Sequence, residues 1–238
     1  MPHTTDHPEA EKYFKALADI SRAVASEQYL EDILKLIVMV TAKVTGVEIC
    51  SLWMIEEEGN GKKIRLKATQ AIDPAYVKDR TLNLDEGIVG YVATNKVPII
   101  VRHVLRDDRF KEKAMAEKLG LVSMVGIPMQ IKNNEVIGVL NCFTAVPHDF
   151  SETEVNLITA VAHQAAVAIH NTQLALDAKI IREELETRKM VERAKEVLMR
   201  KRGMEIDEAY RWIRKRSMDS RKPLRDVAEA VLLSEDLY

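Results

Sequence analysis

Between Phe150 and Arg202 the chain contains no Pro and no Gly. A stretch of that kind reads as one helix of nearly fifty residues, about 75 Å long at ~1.5 Å rise per residue, which is longer than one small domain is wide. It begins at a recognisable signal, because Ser151-Glu152-Thr153-Glu154 has the form of a capping box, with Ser at the cap and Glu three residues on. Its apolar residues fall in two seams, Ile169, Leu176, Ile180 and Leu174, Ile181, Leu185, with steps of seven and four. A lone helix would expose both seams, so a partner helix is expected, from a second copy of the chain in a coiled coil. The alternative is packing against N-terminal helices of the same chain.

Upstream the pattern changes mode several times. Residues 1–10 read as a leader. Phe14, Leu17, Ala18, Ser21 and Val24, then Leu30, Ile33, Leu34, Ile37, Val38 and Thr41, follow 3–4 spacing and predict two amphipathic helices. Residues 48–55 and 63–68 predict a hairpin about a turn at Glu58-Gly59-Asn60-Gly61, and 122–131 with 136–144 predict another. Between them lie a short helix at 84–91, a strand at 98–101 and a charged helix from Arg109 to Leu119. Hairpins with flanking helices predict an α+β domain with an antiparallel sheet.

Downstream of Gly203, Ala209, Ile213 and Ser217 mark one helix, and Pro223 fits the first turn of another carrying Leu224, Val227, Ala228, Val231 and Leu232. With Val191, Ala194 and Leu198 these close an all-α three-helix core, which at ~50 residues is marginal alone. The charge belongs to this region. The whole chain has a net of −2, but residues 179–225 hold sixteen Lys/Arg against nine Asp/Glu, a net of +7. Residues 1–178 sum to −5 and residues 226–238 to −4. A basic window of this density attracts phosphate backbones even in an acidic protein.

Two resemblances follow from these residues. Asp85-Glu86-Gly87-Ile88-Val89-Gly90-Tyr91-Val92-Ala93, the strand Gly120 to Met129, Ile137-Gly138-Val139-Leu140 and Phe150-Ser151-Glu152 together resemble a GAF domain, over about residues 25–172. The resemblance implies a small-molecule sensing or dimerisation module with a pocket on one face of its sheet. Leu185, Arg188, Val191, Ala194-Lys195, Leu198-Met199, Gly203, Glu208-Ala209-Tyr210, Ile213, Ser217-Met218, Pro223-Leu224 and Val227-Ala228 resemble an ANTAR domain. That family usually has Gly after the Ala-Lys pair, where this chain has Glu196. The expected organisation is a leader and helix at 1–24, the sensor at 25–172, a coiled-coil linker at 173–186 and the ANTAR domain at 187–238.

ANTAR resemblance implies binding of paired RNA hairpins with short loops, which excludes a competing terminator hairpin and lets transcription continue. Arg188, Lys195 and Arg202 recur every seven residues and predict a basic ridge about 20 Å long at ~1.5 Å per residue. Arg214, Ser220, Arg221 and Lys222 join Arg188 and Lys195 as the RNA-binding candidates. In the sensor, Trp53, Met54, Met124 and Met129 are the candidates for lining a ligand pocket, with core filling as their other role. The cyclic-nucleotide pattern of some GAF domains is incomplete, since Asn95-Lys96 and Phe110 are present but Ala114-Met115 replaces the acidic pair.

Catalysis has no support in the sequence. There is no Gly-x-Ser-x-Gly elbow, no phosphate-binding glycine loop and no His-Glu-x-x-His. His163 and His170 lie two helical turns apart, ~10.5 Å of rise, too far to share one ion within a chain. No catalytic residue, metal site or cofactor is therefore expected. Cys50 and Cys142 fall on predicted strands as small apolar residues, and two cysteines without a signal pattern predict a reducing cytoplasm. No apolar run reaches bilayer-spanning length. The expected partners are RNA hairpins in leader transcripts, a second copy and an unidentified small molecule. A constitutive RNA-binding dimer, with the sensor as a ligand-free scaffold, is the competing expectation.

Overall fold

The computed structural model describes Ala18 and residues 30–59, 61–71 and 80–234. The predicted helix from Phe14 to Val24 lies, apart from Ala18, outside the described residues. The chain divides into two compact units, Met1–Gln173 and Leu174–Tyr238.

In the first unit, helix α1 (Leu30–Thr45) precedes strands β1 (Ile49–Glu58), β2 (Gly61–Thr69) and β3 (Thr81–Asn83). Helix α2 (Gly87–Asn95), strand β4 (Ile99–Val101), helix α3 (Lys113–Leu119) and strands β5 (Ser123–Ile131) and β6 (Glu135–Thr144) follow. Helix α4 (Glu152–Arg202) starts in this unit and ends in the second. The six strands form one antiparallel sheet in the order β3-β2-β1-β6-β5-β4. Both predicted hairpins are present, and β1 pairs β6 to join them.

Alternation along each strand sorts side chains onto two faces. Cys50, Leu52, Met54, Val125, Ile127, Met129, Leu140 and Cys142 pack against Ile33, Leu34, Ile37 and Val38 of α1 and Ile158, Ala162, Ala165, Ala166 and Ile169 of α4. Trp53, Ile64, Leu66, Met124, Val139 and Phe143 face the other way, under Ile88, Val89 and Val92 of α2 and Phe110 and Ala116. Covering on both faces explains why β5 and β6 read as nearly continuous apolar runs. Ile169, expected at the head of an exposed seam, is instead fully buried in this core.

Close packing accounts for two of the motif glycines. A Cβ on Gly90 would meet the Leu84 carbonyl oxygen at 2.8 Å, and one on Gly138 would run into the Trp53 carbonyl oxygen and the Met129 methyl. The charged helix expected from Arg109 is shorter than its charge pattern suggested. Asp107 accepts from the Arg109 backbone N–H at 2.9 Å and from its guanidinium at 2.6 and 2.9 Å, a local turn that competes with helix. Helix α3 therefore starts only at Lys113.

The capping box at the start of α4 is formed. Ser151 donates to Glu154 Oε2 from its backbone N–H at 2.7 Å and from its hydroxyl at 2.8 Å, and the Glu154 N–H donates back to Ser151 Oγ at 3.3 Å. In the second unit, the end of α4 is followed by α5 (Ile206–Ser220) and α6 (Leu224–Leu233). Val191, Ala194, Val197 and Leu198, Ala209 and Ile213, and Val227, Ala228 and Val231 close the three-helix core. Ser217 serves the turn instead of that core, donating from Oγ to the Lys222 carbonyl at 2.6 Å. Pro223 stands one position before its expected place, as the residue preceding α6.

Candidate functional site

The second unit carries two grooves, and the basic candidates divide between them. The first, about 780 Å³, is lined by Arg188, Lys195 and Arg225 with Glu183, Glu184, Glu192 and Asp207, over Ile180, Val191, Ile206, Tyr210 and Leu224. Four carboxylates thus face three cations. The Lys195 side chain is only 11% exposed and donates to Glu192 Oε2 at 2.6 Å, the i,i+3 spacing of one helical face. The second groove, about 550 Å³, is lined by Lys201, Arg202, Arg216 and Lys222 with Asp226 and Trp212. Here four cations face one carboxylate.

The expected basic ridge is therefore broken. Seven-residue steps drift by ~20° each on a straight helix, so fourteen residues move Arg202 only about 40° from Arg188, and the packing of α5 and α6 sets the two in different grooves. Arg188 and Lys195 line the first groove, whereas Arg202 turns into the second, its guanidinium carbon 4.9 Å from the Trp212 ring centroid. Ser220 and Lys222 join Arg202, with Ser220 Oγ donating to the Arg216 carbonyl at 2.6 Å. Arg214 is exposed on α5 and lines neither groove. Arg221 caps α5 at φ +52°, its N–H donating to the Met218 carbonyl at 3.3 Å. Lys201, Arg216 and Trp212 escaped the sequence reading because the alternation of helix faces there depends on how α5 and α6 pack.

The four sensor candidates do not line one pocket. Met54 and Met129 sit on the sheet face covered by α1 and α4, and Trp53 and Met124 on the opposite face. Period-two alternation puts Trp53 and Met54, as neighbours on one strand, on opposite faces. Only Trp53 and Met124 border the interior cavity, together with Ile88, Phe110, Met115, Asn141 and Phe143. That cavity is about 30 Å³, the volume of one water. Asn141 is 3% exposed, and its Oδ1 has no hydrogen-bond partner. The sequence signal for it was a lone polar residue inside Val139-Leu140-Asn141-Cys142-Phe143.

Cys50 and Cys142 are paired across β1 and β6 with Sγ atoms 3.5 Å apart, both fully buried. Burial pushes the Cys50 thiol up, which keeps it protonated and unreactive. Among the described residues no group of three or more His, Cys, Asp or Glu is placed to hold a metal ion, and no helix is long and apolar enough to cross a membrane.

Comparisons with known proteins fall on the same two units. Residues 27–170 match the GAF domain family and residues 180–232 the ANTAR domain family. The transcriptional regulatory protein PdtaR of Mycobacterium tuberculosis is 42% identical over 79 residues, 32% of this chain and 38% of that protein. A protein of the phosphoenolpyruvate-dependent phosphotransferase system of Escherichia coli is 25% identical over 158 residues, 66% of this chain and 21% of that protein. The chain thus spans well under half the length of either relative. The GAF domain structure from a phosphoenolpyruvate-protein phosphotransferase of Coxiella burnetii superposes with a TM-score of 0.61 at 26% identity, covering 70% of this chain and 97% of that one. With more than half its length matched, the chain belongs to the GAF domain family and carries an ANTAR domain behind its GAF domain.

Proposed function

We propose that this chain is a sensory regulator of transcription antitermination, in which the ANTAR unit binds RNA hairpins and thereby prevents a terminator hairpin from forming. The observation that carries this reading is the match of residues 180–232 to the ANTAR family, over a segment that exposes 14 Lys and Arg against 10 Asp and Glu. PdtaR, a transcriptional regulator by name, supports the same class of output. The RNA contacts are proposed for the basic candidates of this unit, Arg188, Lys195, Arg214, Ser220, Arg221 and Lys222, with Lys and Arg holding phosphates and polar groups reaching base edges. The test is crosslinking to cellular RNA followed by sequencing. Enrichment of hairpins upstream of terminators is expected, and reads scattered without hairpins, or no RNA recovered above background, would sink the reading.

The unit acts as a dimer in this reading. Leu174, Leu176, Ile180, Ile181 and Leu185 of α4 are exposed, and a second copy's helix laid along them would bury them. The GAF unit then has two roles to choose between. A sensor requires a small molecule with different affinities for two states of the protein. A ligand-free scaffold fits the cavity bordered by Trp53 and Met124, about 30 Å³, whereas a sensor has room in the neighbouring cleft of about 420 Å³ lined by Asp85, Tyr91, Asn95 and Arg109. Thermal shift against a metabolite library separates the two, because a ligand of the folded state raises its melting temperature by mass action.

A further inference from the structure

We propose that the second groove of the ANTAR unit is a nucleotide cleft, in which an unpaired base of the RNA stacks on the Arg202–Trp212 pair while Lys201, Arg216 and Lys222 hold the flanking phosphates. The proposal rests on the RNA reading above and names where on the unit a strand is held. Charge separates the two grooves. The first sets four carboxylates against three cations and so attracts a polyanion less than the second, which presents four cations to one carboxylate, Asp226. Its volume, about 550 Å³, lies in the range of ~300–1,000 Å³ that small-molecule and nucleotide sites occupy.

Stacking is the second, independent observation. The Arg202 guanidinium lies over the half-buried Trp212 ring at 4.9 Å, and Arg202 itself is exposed. A guanidinium over an indole sets a planar cation beside an aromatic ring, and RNA-binding proteins stack unpaired bases on aromatic rings and on arginine planes. Lys201 is already anchored at the cleft edge, its Nζ donating to the Ser234 carbonyl at 3.1 Å. A duplex does not offer an unstacked base, so the cleft selects a loop or bulge over paired stem.

The experiment uses the full chain. RNA hairpins with randomised loops are selected for binding, and the enriched hairpin is the probe. The triple variant Arg202→Gln, Arg216→Gln, Lys222→Gln is expected to lose about tenfold or more in affinity near 0.15 M salt. It should also lose about 1.4 units of salt slope, since Arg216 and Lys222 each hold a phosphate and each such contact to a single strand contributes ~0.7. A matched triple on the exposed surface of α4, Arg182→Gln, Lys189→Gln, Arg193→Gln, removes the same charge outside both grooves. It should stay within about threefold of wild type, as a diffuse field effect would predict. Hairpin should also quench tryptophan emission in the wild type and not in Trp212→Phe, and an abasic substitution at one loop position should abolish the quench. Equal losses in the two triples, or saturation with hairpin that leaves Trp212 emission unchanged, would overturn the cleft while leaving RNA binding in place. A selection that enriches no hairpin would overturn the RNA reading and the cleft with it.

Discussion

Arg221 is held at φ +52°, a left-handed backbone that costs a side-chain-bearing residue of order 1 kcal/mol. The position closes α5, where the Arg221 and Lys222 N–H groups donate to the Met218 and Ser217 carbonyls, and Gly is the residue that fits such a cap without strain. Arg221→Gly should therefore raise the stability of the ANTAR unit by up to about 1 kcal/mol. If Arg221 touches RNA, the same variant should bind hairpin more weakly. Denaturant melts beside a gel shift check both signs, and a destabilised variant would show that the arginine side chain is packed for stability. Gly138 makes the opposite case. A Cβ there has nowhere to go between the Trp53 carbonyl and the Met129 methyl, so Gly138→Ala should destabilise the GAF unit by about 2 kcal/mol or more, read as a lower melting temperature.

At the scale of elements, α4 was the most legible part of the sequence and also where inference ran out. Absence of Pro and Gly gave its length, and the capping box gave its start. Burial of the Glu154 carboxyl acts to raise its pKa, but the Ser151 N–H and hydroxyl and the His148 ring outweigh this and hold it below the usual carboxylate range. A depressed carboxylate contributes stability that is present above its unfolded pKa, near ~4.3, and is lost as pH falls through its folded value. Glu154→Gln should therefore cost stability at pH 7 and show a weaker acid loss below about pH 4 than wild type, because no charge remains to protonate. Parallel acid-melt profiles for the two proteins would contradict it. What the sequence could not give was which face of α4 meets which neighbour. Ile169 sits in step with Leu176 and Ile180, yet the sheet claims it, and Arg202 sits in step with Lys195, yet it turns over Trp212. Helical spacing fixes angles around one axis, whereas packing against α5 and α6 decides which angle faces solvent. The five exposed apolar residues make the element-scale prediction. Ile181→Glu with Leu185→Glu should shift the chain from dimer to monomer in analytical ultracentrifugation while the circular dichroism of the GAF unit is retained, since charge is poorly tolerated in a coiled-coil seam. A wild type that sediments as a monomer would remove the seam's proposed role.

For the whole molecule, the near-zero net charge conceals an acidic GAF portion, a basic helical window and an acidic C-terminal stretch, so a net of −2 is compatible with the proposed RNA partner. The two family units were legible because their motifs are packing motifs, glycines and caps that any copy of the fold needs. The pocket was not, because strand alternation separates Trp53 from Met54 and the cavity's own polar group, Asn141, is a single residue in an apolar strand. This bears on the choice between sensor and scaffold, which linkage can decide. If a metabolite opens the one-water cavity and is coupled to the RNA face, it changes hairpin affinity by some factor, and hairpin must change metabolite affinity by the same factor. Couplings of this kind are typically about 5–150-fold, so isothermal titrations of metabolite with and without saturating hairpin would resolve one. A metabolite that raises the melting temperature by mass action yet leaves hairpin affinity unchanged would show an occupied but uncoupled GAF domain. A library in which nothing shifts the melt, with hairpin binding at full strength, would show that the GAF unit holds two ANTAR units together and senses nothing in that library.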